Sequence, residues 1–194
     1  MTKNDFEDAK SLWKFFYASE CFKQAAAACS YMLDNNLETD SPMYYPLLTS
    51  VYVLYGKPFK RANVVGKLAD DIIPPEHKNL HDTLLEHRDK FYAHTDAKSF
   101  KLPDFGDASQ VRFLVLPHEM RLFGTQFRAR PPFLPEVVVL CSALEKKVNY
   151  HMIKLMKRHA KNVPGDVGEY SINILDESGP FVMKEKPLIL KPHQ

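Results

Sequence analysis

Between Leu134 and about Lys161, apolar residues return every three or four positions, at Val137, Cys141, Leu144, Val148, Met152, Leu155 and Met156. That is the spacing of one buried helical face. Lys154, Lys157, Arg158 and Lys161 crowd the last turns, where cations complement the negative end of a helix dipole. The segment is expected to be the longest helix of a mainly α chain. A second long pattern runs from Asp5 to about Asn35 through Leu12, Phe16, Ser19, Phe22, Ala26, Cys29 and Leu33, which predicts one long helix or two stacked ones with Asp5 as cap.

The stretches between these two patterns are shorter. Ser41-Pro42 reads as a capped start for a very apolar helix through Tyr44, Leu47, Leu48, Val51, Leu54 and Tyr55, stopped by Gly56 and Pro58. Lys60 to Ile73 is read as a weaker third helix ended by Pro74-Pro75, and Pro75 to Tyr92 as a fourth with Leu80, Leu84, Leu85, Phe91 and Tyr92 inward. Asp96 to Gln110 has no period and reads as a surface loop. Val111–Leu116 and Met120–Phe127, around Pro117-His118-Glu119, predict a β-hairpin laid against the helices. A terminal hairpin is expected from Glu169–Leu175 and Phe181–Lys184, joined by Asp176 to Pro180. The expected architecture is therefore a single domain over 1–194, a helical bundle (5–94 and 134–161) with accessory hairpins at about 111–127 and 169–184.

Hydrophobic residues at 45% and charged residues at 26% are the balance of a globular chain, not a disordered one. A formal charge of +2 does not by itself announce nucleic-acid binding, so any such function must come from local clustering. Cys21, Cys29 and Cys141 are odd in number, lie in helical patterns and form no C-x-x-C pair, which fits reduced, core-filling thiols in a cytoplasmic protein. No basic-then-apolar progression opens the chain and no apolar run reaches spanning length, so neither secretion nor a membrane is expected.

The chemistry is concentrated in Leu80-His81-Asp82-Thr83-Leu84-Leu85-Glu86-His87-Arg88-Asp89-Lys90-Phe91-Tyr92-Ala93-His94-Thr95-Asp96. Arg88 follows His81, Leu84 and Leu85 by seven, four and three positions, which sets it on the apolar seam, where a guanidinium needs anionic partners. His94 falls where the helical pattern gives out, so its ring is free to turn towards Arg88. Asp89 and Asp96 flank the pair and can orient guanidinium or imidazole. Arg112 and His118 share the same spacing on a strand and a proline turn, so spacing alone is not diagnostic.

The run from Leu84 to Asp96 resembles the R-x-x-x-x-x-H signature of the HEPN superfamily, and is most similar to its abortive-infection branch, where "RDK-aromatic-x-AH-x-D" recurs. The helices on either side, including the tyrosine-rich Pro42–Tyr55 segment and Leu134–Lys161, are similar to that family's bundle; the hairpins depart from it. The resemblance implies a metal-independent endoribonuclease of a defence or toxin-antitoxin type, needing no cofactor. It places Arg88 and His94, with Asp89 beside them, in a cleft shared by two subunits. RNA, a second copy of the chain, and an antitoxin or nucleotidyltransferase are the partners it implies. The chemistry agrees with a dimer. Attack of a ribose 2′-hydroxyl on the adjacent phosphate needs a base, an acid and positive charge on the phosphoryl oxygens, and one histidine per chain cannot serve both ends.

Other features have plainer readings. Arg88 and His94 on their own spacing also fit a buried arginine bonded to Glu86 or Asp89 and a histidine C-cap, leaving a non-catalytic binding module as the alternative. His77 and His81 can face one metal ion, but only His87 or Asp82 is near enough to complete a site, and none is expected. Lys146, Lys147, Lys154, Lys157, Arg158 and Lys161 can track phosphates or simply be solvated. Arg112, Arg121, Arg128 and Arg130 interleave with Phe113, Phe123 and Phe127, a pattern for clamping single-stranded RNA or for a hairpin packed aromatics-inward. Trp13, Phe16 and the Tyr44–Tyr55 group are expected in the core.

Overall fold

The computed structural model describes residues 2–89, 101–102, 106–107, 112–123, 133–162, 164–165, 167–172 and 174–185, without the side chains at 101–102, 106–107, 112–113 and 122–123. It is mainly helical. Helix α1 is continuous over Lys3–Asp34. Its start is a capping box: Thr2 Oγ1 accepts from the Asp5 N–H at 3.2 Å, and Asp5 Oδ2 accepts from the Thr2 N–H at 2.8 Å. Thr2, not Asp5, is therefore the cap, because only Thr2 stands outside the helix with extended backbone. At the other end Asn36 takes φ 45°, Asn36 N–H bonds Leu33 O and Leu37 N–H bonds Met32 O, both at 3.0 Å. This is a Schellman closure, with Leu37 folded back towards the core.

Helix α2, Tyr44–Gly56, begins two residues beyond the expected Ser41-Pro42 start, with Met43 as an N-cap that makes no side-chain bond, and runs into a 3₁₀ turn at Lys57–Phe59. The expected third helix over 60–73 does not form. Ala62 and Gly66 instead exchange backbone hydrogen bonds of 3.2 and 3.0 Å around a tight loop, with Gly66 at φ 72°. Leu68 N–H is drawn back to Pro58 O at 2.8 Å, and a 3₁₀ turn follows at Asp70–Ile72. Burying Leu68, Ile72 and Ile73 against the bundle outweighs a weak local helical preference that a glycine already undermines.

After a 3₁₀ turn at Pro75–His77, helix α3 spans Lys78–His87 and passes into a π-type turn at Arg88–Asp89. The expected continuation to Tyr92 lies outside the described residues. Helix α4, Leu134–Arg158, has 25 residues against 32 in α1, so α1 is the longer helix. Helix α4 ends short of Lys161 because His159 leaves helical geometry, with a 3₁₀ turn at Ala160–Asn162 beyond it.

Helices α1 and α4 lie antiparallel. Ser19 Oγ donates to Asn149 Oδ1 at 3.1 Å, Phe15 stacks on His151, and Asp8 meets Arg158 and His159, so the paired positions run in opposite directions along the two helices. Helix α2 closes the other side of α1, and the shared core includes Phe22, Cys29, Met32, Leu48, Tyr52, Tyr55, Leu140, Cys141, Leu144 and Val148. All three cysteines are free and buried, as a core-filling role requires.

Three antiparallel strand pairs are described. The first, β1 (Lys101–Leu102) with β2 (Gly106–Asp107), falls within the stretch expected to be a structureless loop. The second, β3 (Arg112–Leu116) with β4 (Glu119–Phe123), turns at Pro117-His118 in the expected place. Its Leu114, Val115 and Met120 are exposed, so those side chains are not laid against the helices. The third, β5 (Tyr170–Ile172) with β6 (Val182–Lys184), is the terminal hairpin. It is turned by Asp176, whose Oδ1 accepts from Ser178 N–H and Oγ at 2.9 and 2.6 Å. Phe181 stacks on His159 at 4.2 Å between centroids, which fastens the hairpin to the end of α4.

Trp13 and Phe16, expected in the core, are 40% and 57% exposed. Helix α1 carries apolar side chains on more than one face, and the bundle covers the face of Ala18, Phe22, Ala25 and Cys29. Trp13 and Phe16 instead flank a groove shared with Met152, Met156 and Tyr170. Tyr45 is likewise exposed, whereas Tyr44, Tyr52 and Tyr55 are buried. No described helix is long and apolar enough to cross a membrane.

Candidate functional site

The ends of α2 and α3 meet around Arg88. His81, Leu84 and His87 form the buried stripe of α3, and the Arg88 side chain, 16% exposed, leaves the same seam as the helix passes into its π-type turn. Its stem lies on Gly56, the last residue of α2. An ideal Cβ there would fall inside contact distance of Arg88 Cδ, 3.1 Å from Nε and 3.3 Å from Cγ. Two helix C-termini thus converge on one cation, a placement the helix dipoles favour.

Arg88 Nη1 donates to Asp89 Oδ1 at 2.6 Å. Lys60, arriving from the loop after α2, bonds the other oxygen of the same carboxylate. Partial burial pushes the Asp89 carboxyl upward, but the hydrogen bonds from Lys60 and Arg88 outweigh it and hold the group below its ordinary range. The carboxylate stays ionised at neutral pH, so the cluster carries two cations and one anion. Arg88 Nε is buried and has no hydrogen-bond partner among the described residues. A desolvated N–H left open in this way is costly unless something else accepts from it.

Beneath this cluster lies a layer of tyrosine–histidine pairs. Tyr52 Oη and His87 Nδ1 are 3.1 Å apart, Tyr55 Oη and His81 Nδ1 2.8 Å, and Phe59 presents its ring to His81 at 4.6 Å between centroids. Burial pushes both phenols well up. Burial also depresses the His81 imidazole, with the charge of Lys78 adding to it. His81 is thus a neutral core residue, its Nδ1 engaged with Tyr55. No group of three metal-ligating side chains gathers among the described residues.

His94 lies outside the described residues, with Lys90, Phe91, Tyr92, Ala93, Thr95 and Asp96, so the Arg88–His94 separation belongs to the unplaced part of the site. The same holds for Arg128, Arg130, Phe127 and the side chains of Arg112, Phe113 and Phe123, while Arg121 is exposed and paired with Glu119 at 2.5 Å. Two of the basic residues of α4 are engaged within the chain. Arg158 is bonded to Asp8 at 2.7 Å, and Lys147 Nζ donates to Ile72 O at 3.1 Å.

Sequence reasoning missed Gly56 and Lys60 as members of the Arg88 cluster. Gly56 reads as a helix stop, and nothing local marks Lys60. The Tyr52–His87 and Tyr55–His81 bonds had a signal, since buried tyrosine hydroxyls and imidazoles in apolar stripes must find partners. Comparison with protein-family models, curated proteins and solved structures finds no match to this chain.

Proposed function

We propose that the chain is a HEPN-type, metal-independent endoribonuclease acting as a homodimer, with Arg88 and His94 from each subunit lining one cleft. In this reading Arg88 is the planar clamp on the scissile phosphate, and the two His94 imidazoles serve as base at the 2′-hydroxyl and acid at the leaving 5′-oxygen. Asp89 is the positioning residue: it fixes the guanidinium through Nη1 and is itself fixed by Lys60. One observation carries the proposal. Among the described residues, Arg88 is held at the end of α3 in a cluster of two cations and one anion, and its Nε is buried without a hydrogen-bond partner, a state that favours an incoming acceptor such as a phosphate oxygen. The sequence resemblance over Leu84 to Asp96 supplies the reaction class.

The Arg88–Asp89 ion pair favours a second reading, a non-catalytic module in which the guanidinium is satisfied internally and the same surface holds a nucleotide, an RNA end or a protein. Cleavage of single-stranded RNA by the purified chain in EDTA separates the two. The nuclease reading requires His94→Ala to abolish cleavage without shifting the urea midpoint. Undiminished cleavage by that variant, or none by the native chain, removes it. A strict monomer on a sizing column would leave one histidine per site and remove the two-subunit mechanism.

A further inference from the structure

Away from Arg88, a cleft of about 620 Å³ opens between α1, α4 and the 67–72 segment. Four lysines face it: Lys14 from α1, Lys67 from the connecting segment, and Lys146 and Lys147 from α4. Among the described residues, Asp71 is the one carboxylate lining it. Lys67 has a distant ion pair with Asp70 at 3.7 Å. Among the described residues, Lys14, Lys146 and Lys147 have no carboxylate partner. Lys147 spans the floor through its bond to Ile72 O, which fixes its position and leaves two ammonium protons for a ligand. Beside the lysines stand three rings. Phe15 and His151 are stacked at 5.2 Å, and Tyr150, 64% exposed, meets His151 edge-on at 5.8 Å.

We infer that this cleft binds a nucleoside polyphosphate as a small-molecule ligand. Lysines serve as mobile point charges for phosphate oxygens. An exposed ring next to an already stacked pair offers a flat face on which a base can stack. The volume lies within the range of roughly 300–1,000 Å³ usual for small-ligand sites. The four lysines converge on the cleft from three elements, whereas Lys154 and Lys157 do not line it and Arg158 is occupied by Asp8. A compact multiply charged anion fits this distribution better than a polynucleotide. The site shares no residue with the Arg88 cluster, so it stands or falls independently of the nuclease reading.

Calorimetric titration of the full chain with ADP, adenosine, inorganic pyrophosphate and a short single-stranded RNA tests it. ADP is expected to bind once per chain, with adenosine and pyrophosphate each at least about tenfold weaker. Lys14→Glu/Lys146→Glu is expected to weaken ADP by about tenfold or more at an unchanged urea midpoint, since neither lysine holds a carboxylate whose loss would unfold the protein. Tyr150→Ala is expected to weaken ADP and leave pyrophosphate unchanged. Absence of ADP binding, binding undiminished in the double variant, or displacement of ADP by RNA at lower concentration than by free nucleotide would each overturn the assignment.

Discussion

Replacing Gly56 by alanine separates local helix preference from the packing of Arg88. Gly56 has helical backbone, φ −78° and ψ −22°, so alanine is conformationally welcome there and on propensity alone should add about 0.5 kcal/mol, less than a mid-helix site because this is the last turn. The new methyl group collides with Arg88 Cδ and crowds Nε and Cγ. Overpacking of this kind costs roughly 1–3 kcal/mol, and swinging the stem aside also disturbs the bond to Asp89. The expected net effect is a loss of about 1 kcal/mol in urea unfolding followed by circular dichroism. The sign should then reverse: in an Arg88→Ala background the collision is gone, and Gly56→Ala should stabilise by about 0.5 kcal/mol. A coupling near zero between the two substitutions would refute the claim that the arginine stem rests on the α2 terminus. If the proposed function holds, Gly56→Ala also lowers RNA cleavage, because it shifts the clamp without removing any ionisable group.

The neutral His81 predicts a pH effect. Its folded-state pKa is depressed, so its contribution to stability is present above the ordinary value of 6.5 and is lost as pH falls from there through the lowered value; urea midpoints should fall between pH 7.5 and 5.5, and a Tyr55→Phe/His81→Leu double variant should flatten that slope. Tyr55→Phe alone leaves His81 Nδ1 without its hydroxyl and should cost about 1–3 kcal/mol; a neutral result would argue against the bond. At φ 45°, Asn36→Ala should destabilise by about 1 kcal/mol while Asn36→Gly is tolerated, and equal unfolding midpoints for the two would sink the left-handed closure of α1. The Cys29 thiol is pushed up to about 12 by burial, so iodoacetamide at pH 8 should label it only after unfolding, and fast labelling of the native chain would contradict its place in the core.

What could be read from the sequence follows from how local each determinant is. The periodic faces of α1 and α4 and the turn residues of the two later hairpins act within a few positions of themselves, and the elements form where those signals place them. The 60–73 segment reads as a weak helix ended by Pro74-Pro75. What decides its path is the hydrogen bond from Leu68 to Pro58 and the positive φ of Gly66, and only the packed bundle imposes both. Trp13 and Phe16 fail for a related reason: α1 offers two apolar faces, and its own pattern does not say which one α2 and α4 will cover. At the site, Arg88 and Asp89 are visible because one helix carries them. Gly56 and Lys60 come from another element, and their closeness to Arg88 in space has no counterpart in spacing along the chain.

The Arg88 cluster also bears on how a phosphate would be received. A guanidinium alone at the end of a helix would be free to swing, and a ligand would have to order it at the expense of side-chain entropy. Here the stem is confined by Gly56, Nη1 is held by Asp89, and Asp89 is held by Lys60, so the ordering is already done when a ligand arrives. Asp89 at the same time offsets one of the two cations, which lowers raw attraction for an anion. The arrangement trades affinity for position, the exchange that favours a transition state over a ground state when both carry the same phosphate. Asp89→Asn keeps the shape and removes the charge. If the proposed function holds, it should tighten binding of an uncleavable RNA while slowing cleavage of a normal one, and a variant that tightened binding and sped cleavage together would show that Asp89 merely neutralises Arg88.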